Sequence, residues 1–271
     1  MKLGILVGDI ARDLKIPLRE AIRKARGWGY DAVELPASDL SRSDEQYSPD
    51  TAKSLISFIS DLGLEVTGFQ CHVGYLTDDW QARVDHTKRM IEVASEIGVP
   101  VVHTVTGKLP EDMAIPSGFS RLEAVYRELL EFAEGSGVKV GIEPVFVYLV
   151  GNHSTLKRLI ELVGRDDLYI NFDPSHYPYH GESPIPTVKE FGERIVHAHV
   201  KDALIEPKFR FIPPGKGVLD FREIISALHE VGYDYVLSLE LGHGMEDPEG
   251  MARENVGFLA GLLEELGIER G

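Results

Sequence analysis

The chain has 271 residues, long for an average domain but ordinary for one α/β barrel, and a 43% hydrophobic content is enough for a sizeable core. Acidic residues outnumber basic ones by 44 to 28, a net charge of −16, with no Lys or Arg run to relieve it, so nucleic acid and anionic membranes are disfavoured partners. The single cysteine, Cys71, excludes an internal disulfide and fits a reducing compartment. The apolar start at residues 3–8 is too short for a signal-peptide core or a membrane span, so a cytoplasmic location is expected.

Strand and helix signals alternate throughout, with no low-complexity segment and no linker long enough to divide domains. A strand is predicted at 3–7, followed by a helix from near Pro17 to Gly27. The second strand, 32–35, precedes a helix with Ser48 as N-cap, Pro49 in its first turn and Gly63 at its end. The third, 66–71, leads to a helix from about Asp79, and the fourth, 99–105, to a helix at 120–134. Four more strands are read at 138–144, 169–173, 196–200 and 236–241, with helices at 155–163, 186–192, 220–231 and 248–266. Eight strands each followed by a helix make a (β/α)8 TIM barrel, here a single domain covering 1–271.

The last four strands share a pattern. In 169–173, Ile170 and Phe172 form an apolar face, while Asn171 and Asp173 form the other, before Pro174 stops the strand. An inward carboxylate on a buried strand needs a cation. Val140 and Ile142 likewise oppose Gly141 and Glu143; Val196, Ala198 and Val200 oppose His197 and His199; the leucines of 236–241 oppose Ser238 and Glu240. Four successive strands therefore end in Glu143, Asp173, His199 and Glu240, and a barrel brings such ends to one mouth. Three carboxylates and one imidazole offer mostly hard oxygen donors. They favour one octahedral divalent ion, Mn²⁺ first, then Mg²⁺ or Co²⁺, with Zn²⁺ or Fe²⁺ as alternative occupants. Such an ion would act as a Lewis acid on a carbonyl and hydroxyl pair.

These residues also carry a family resemblance. The motifs Gly-Ile-Glu-Pro at 141–144, Asp-Pro-Ser-His at 173–176, His-Val-Lys-Asp at 199–202, Pro-Gly-Lys-Gly at 214–217 and Ser-Leu-Glu-Leu at 238–241 stand in order at successive strand ends. The chain resembles the sugar phosphate isomerase/epimerase group of the xylose-isomerase-like barrels, which also holds tagatose 3-epimerase-like and hydroxypyruvate isomerase-like enzymes, inosose dehydratases and endonuclease IV nucleases. The resemblance implies that Glu143, Asp173, His199 and Glu240 hold the metal. It also implies that Glu143 and Glu240 act as the acid/base pair, passing a proton through a metal-bound enediolate. The expected substrate is a keto-sugar or related polyhydroxy carbonyl compound. His176 matches a substrate-binding position, and Arg210 stands one residue out of register with an arginine before the glycine loop.

Blander roles compete at several positions. His72 and His103 face the mouth and suit either substrate or local backbone groups, and Lys201 suits either a carboxylate or solvent. His197 reads as a hydrogen-bonding histidine one pleat deeper than His199. Gly215 and Gly217 suit an anion nest or a plain turn. Phe69, Tyr75, Phe146, Tyr177 and Phe209 are candidates for stacking on a sugar ring, whereas Trp28 and Trp80 read as helix-packing residues. An apurinic endonuclease is disfavoured, because residues 208–213 lack the Asp-x-His pair that the resemblance would require for a three-zinc cluster. Dehydration of a keto-cyclitol or keto-sugar begins with the same proton abstraction and stays open, and a scaffold role has no need of clustered carboxylates. A homodimer or homotetramer is expected by analogy alone.

Overall fold

The computed structural model describes residues 1–40, 46–241 and 247–271. Its strands fall where apolar and polar residues alternate, and most of its described helices start where proline or a capping side chain opens a turn. β1 (Lys2–Leu6) runs directly into α1 (Val7–Leu14), and α2 (Leu18–Trp28) leads to β2 (Ala32–Pro36). There follow α3 (Pro49–Asp61), β3 (Glu65–Cys71), α4 (Trp80–Ile97), β4 (Val101–Val105), α5 (Ile115–Ala133), β5 (Lys139–Glu143), α6 (His153–Val163) and β6 (Leu168–Phe172). A 3₁₀ turn (Pro174–His180) then precedes α7 (Ile185–Phe191) and β7 (Ile195–Val200). A short hairpin, β8 (Asp202–Leu204) with β9 (Arg210–Ile212), separates β7 from α8 (Phe221–Glu230), and β10 (Val236–Leu239) and α9 (Pro248–Glu265) finish the order.

Eight of these strands close into a parallel barrel in the order β1, β10, β7, β6, β5, β4, β3, β2, so the expected TIM barrel is the observed fold. Apolar residues of the strands pack outward on the helices, as Val140, Ile142, Ile170 and Phe172 do in the buried core. The inward residues are unusual for a barrel, whose interior is commonly filled by branched apolar side chains. Here the rings of His103 on β4 and His197 on β7 meet across the axis with centroids 4.2 Å apart. Glycines make room for them: a Cβ on Gly68 would lie 2.4 Å from His103 Nε2, and one on Gly141 3.4 Å from its Nδ1.

Several local expectations are corrected. Residues 7–14 are helical where the end of a strand at Val7 and no element at 8–14 were expected, because Val7 and Ile10 are buried on one side of a turn that β1 feeds directly. α5 begins at Ile115 rather than near 120, with proline in its first turn. Ser48 occupies the N-cap of α3, but its hydroxyl bonds Thr51 Oγ1 at 2.8 Å instead of a backbone N–H. The hairpin and the 3₁₀ turn were not expected. None of the described helices is long and apolar enough to cross a membrane.

Candidate active site

The site grows from four strand ends. Glu143 is the last residue of β5, Asp173 follows β6, His199 lies near the end of β7, and Glu240 follows β10. One ligand atom from each of the four lies within 4.8 Å of the others. His199 Nδ1 is 3.3 Å from Glu143 Oε2 and 3.4 Å from Glu240 Oε2. Pro174 turns the chain inward, and Asp173 Oδ1 accepts from Ser175 N at 2.8 Å, so the aspartate is oriented by its own turn. The same turn delivers His176, whose Nε2 lies 3.2 Å from Glu143 Oε1 and 3.3 Å from Asp173 Oδ2.

Gathering three carboxylates in a buried mouth requires positive charge. Lys201 supplies some: its Nζ is 2.5 Å from Glu240 Oε2 and 3.0 Å from Asp173 Oδ2. Burial alone would depress its pKa, but Asp173, Glu240 and Glu143 reverse the effect and raise it. Burial would also raise Glu143, yet His199 and His72 hold it well below the usual carboxylate range. His199 is raised well above an ordinary histidine, because Glu34, Glu143 and Glu240 outweigh desolvation. Burial leaves His103 far below its ordinary value and brings His197 down to about 4, so both are neutral rings at physiological pH.

Beneath the mouth lies a polar layer. Asn171 Nδ2 donates to Glu143 Oε2 at 2.6 Å, and Asn171 Oδ1 pairs with His197 Nδ1 at 3.1 Å. Glu34 on β2 approaches the other side of His199, with Oε2 2.9 Å from Nε2. The register between β2 and β3 shifts at Val33/Glu34, a local irregularity of the kind that re-aims side chains beside active sites. Glu34 was missed in the sequence, although it alternates with Val33 and Leu35 just as Glu143 alternates with Ile142.

The other expected substrate residues separate. His72 Nε2 is 3.3 Å from Glu143 Oε2, and Lys201 joins the carboxylates rather than solvent. Arg210 opens β9, is exposed, and pairs with no carboxylate among the described residues. Phe69, Tyr75 and Tyr177 are fully buried in the core and cannot stack on a ligand. Phe146 and Phe209 do reach the site: Phe146 stacks on His176 at 5.6 Å and touches Phe209 at 4.7 Å, and Phe211 joins them. Gly215 and Gly217 form a nest already filled by Asp202. Its Oδ2 accepts from Gly215 N at 3.1 Å and Gly217 N at 2.8 Å.

A cavity of about 520 Å³ opens beside this centre, lined by residues including Asp9, Arg12, Ser38 and Gln70. Gln70 Nε2 donates to Glu240 Oε1 at 3.2 Å, linking the cavity to the carboxylates. Hard oxygen donors from two buried carboxylates and the partly buried Glu240, with one imidazole nitrogen, all within reach of one point, fit a divalent cation.

With fold and site in view, the xylose isomerase-like TIM barrel family model matches residues 22–262. The chain belongs to this family. It is 25% identical over 239 aligned residues to the inosose isomerase of Bacillus velezensis, with 83% of each chain covered. The crystal structure of the IOLI protein with a zinc atom bound superposes with a TM-score of 0.79 at 21% identity, covering 98% of this chain and 99% of that one. A D-tagatose 3-epimerase-like protein gives 0.79 at 22% identity, covering 98% of both chains. At such identities the two structures speak for the fold.

Proposed function

We propose that the chain is a divalent-metal-dependent isomerase or epimerase of a keto-sugar, or of a related polyhydroxy carbonyl compound such as a keto-cyclitol. The observation that carries this reading is the meeting of Glu143 and Glu240 at one imidazole, although β6 and β7 lie between their strands in the barrel. Two carboxylates brought together from separated strands suit removal of a proton on one side of a carbon and its return on the other.

Glu143, Asp173, His199 and Glu240 would hold the ion, with Mn²⁺ the first choice on donor hardness. The zinc bound in the IOLI structure supports a dication in a barrel of this fold. When bound, the ion polarises the substrate carbonyl and acidifies the adjacent C–H. The chain's own groups do the rest. One glutamate accepts the proton at a carboxylate oxygen, leaving an enediolate, and the other, starting as the protonated acid, donates a proton to the same carbon in epimerisation or to its neighbour in isomerisation. His176 Nε2, 3.2 Å from Glu143 Oε1, holds that carboxylate in place and leaves Nδ1 to accept from a substrate hydroxyl, while His72 Nε2 lies 3.3 Å from the other oxygen at the edge of the site. Phe146, Phe209 and Phe211 shut water out above His176, and the cavity beyond Gln70 takes the remainder of the polyol.

The test is incubation of the Mn²⁺-loaded protein with a panel of keto-sugars and keto-cyclitols in D₂O. Deuterium at the carbon beside the carbonyl is the expected result; no exchange with any member contradicts the reading.

A dehydratase reading is favoured by Asp9, which lines the same cavity. Burial and the nearby Glu240 push its carboxyl up to about 7 against the opposing pull of Arg12. A carboxyl partly protonated near neutrality can protonate a departing hydroxide. Mass analysis of the same incubations separates the readings, because dehydration removes one water and isomerisation removes nothing.

A further inference from the structure

Glu34 is wholly buried, and no Lys or Arg reaches it among the described residues. Its neighbours are His199 Nε2 at 2.9 Å, Ser238 Oγ at 3.3 Å, His197 Nε2 at 3.6 Å and His103 Nε2 at 3.8 Å. Only the first two are within hydrogen-bond range, and both converge on Oε2. The carboxylate is therefore gripped from β10 by the serine and faces β7 in one orientation.

An ionised carboxylate only accepts, so the His199 nitrogen facing it must carry a proton. The opposite nitrogen, Nδ1, faces Glu143 and Glu240. We infer that Glu34 is a positioning residue for the metal centre: it holds His199 with Nε2 protonated, so that Nδ1, on giving up its own proton, presents its lone pair to the ion. This rests on the reading of Glu143, Asp173, His199 and Glu240 as the metal ligands. A carboxylate behind a ligating histidine fixes both tautomer and ring orientation, and losing it commonly weakens metal binding about 10- to 100-fold.

A competing arrangement uses the same atoms. Glu34, His197 and His199 also bring ligand atoms within 4.8 Å of one another, which could form a second cation site. His199 Nε2 cannot both donate to Glu34 and ligate an ion, so the two assignments exclude each other.

The experiment is a Zn²⁺ titration by calorimetry of the wild type and Glu34→Gln, with ¹⁵N NMR of the histidine-labelled, Zn²⁺-loaded wild type. The inference expects one ion per chain, a His199 bound through Nδ1 with Nε2 protonated, and about 10- to 100-fold weaker binding in the variant. Unchanged affinity in a folded Glu34→Gln, His199 bound through Nε2, or two ions per chain would each overturn it. Should the variant fail to fold, the wild-type spectrum and stoichiometry decide alone. A wild type that binds no dication overturns the reading of the four ligands as well, whereas intact binding with no sugar turnover leaves Glu34's role standing and removes only the proposed reaction.

Discussion

Lys201, just after β7, is bonded to Glu240, just after the neighbouring β10, its Nζ 2.5 Å from Oε2, while the same ammonium lies 3.0 Å from Asp173. It is 4% exposed, so solvent can replace little of what it provides. Removing one member of a buried ion pair typically costs about 3–5 kcal/mol, because the partner charge is left uncompensated. Lys201→Met is therefore expected to lower the melting temperature of the metal-free protein. Saturating Mn²⁺ should recover part of that loss by neutralising the same carboxylates. Melting curves with and without Mn²⁺ check this, and an equal loss in both would count against a shared electrostatic role.

Substitutions among the four strand-end residues should divide into two kinds. Glu143→Gln and Glu240→Gln keep shape and volume and remove the base, so folding is expected to survive while turnover falls about 10²- to 10⁴-fold. Asp173→Ala and His199→Ala remove a donor atom altogether and should release the metal. Exchange of substrate deuterium measured beside bound-metal analysis distinguishes the groups. Near wild-type exchange in either glutamine variant would end the acid/base assignment.

Asp202 holds its surroundings through four backbone N–H groups, those of Ala203, Gly215, Gly217 and Leu219. Hydrogen bonds to a charged acceptor are worth about 1.5–3 kcal/mol each, and here several share one carboxylate. Asp202→Ala should destabilise the protein by several such units, measurable by urea denaturation. Gly217→Ala is expected to be damaging for a separate reason: the added Cβ would stand 2.3 Å from Ala203 O, a backbone atom with little freedom to move. A Gly217→Ala protein as stable as wild type would show that the loop has another arrangement.

Cys71 is fully buried on β3, and burial pushes its thiol up to about 12, opposed only slightly by the Thr87 hydroxyl. The reactive thiolate is thus scarce through pH 7–9, and the sulfur is also shielded. Native protein should resist a thiol reagent at pH 8 and react fully in denaturant. Rapid labelling without denaturant would mean that the β3 wall opens locally.

The barrel and the convergence of Glu143, Asp173, His199 and Glu240 at its mouth were legible because both rest on a period of two. Ile170 with Phe172, and Val140 with Ile142, mark the outer wall so clearly that Asp173 and Glu143 can only face inward. Glu34 obeys the same rule, but it stands in the middle of β2 and not at its end, and in none of the motifs that carry the resemblance, so it passed as an ordinary residue. The hairpin of residues 202–212 was invisible because its strands are three residues each, too few to show alternation. Helix 7–14 was hidden by Gly8 and Asp9, which read as a loop although Val7 and Ile10 need an apolar neighbour.

Aromatic residues show a different limit. Phe69 stands between Gly68 and Gln70, and Gln70 reaches Glu240, so alternation turns Phe69 outward into contact with Tyr47. Tyr75 leaves its strand altogether to pack on Tyr126. Whether an aromatic side chain near a strand end serves a ligand or the wall depends on one step of register, which composition does not reveal. Lys201 was ambiguous for the same reason until Asp173 and Glu240 were seen on either side of it.

Because a single aspartate fastens the first residues of the hairpin to the glycine turn that follows it, the intervening stretch from Ile205 to Phe209 is tethered at its base and free to vary at its tip. Of the phenylalanines gathered near His176, only Phe209 belongs to that stretch; Phe211 lies in β9 and Phe146 follows β5, and the carboxylates stand at the ends of the barrel strands. On the proposed function, the hairpin tip and the barrel wall are separable pieces, and grafting a different tip onto the same anchor is expected to change which molecule is accepted while leaving the reacting groups undisturbed.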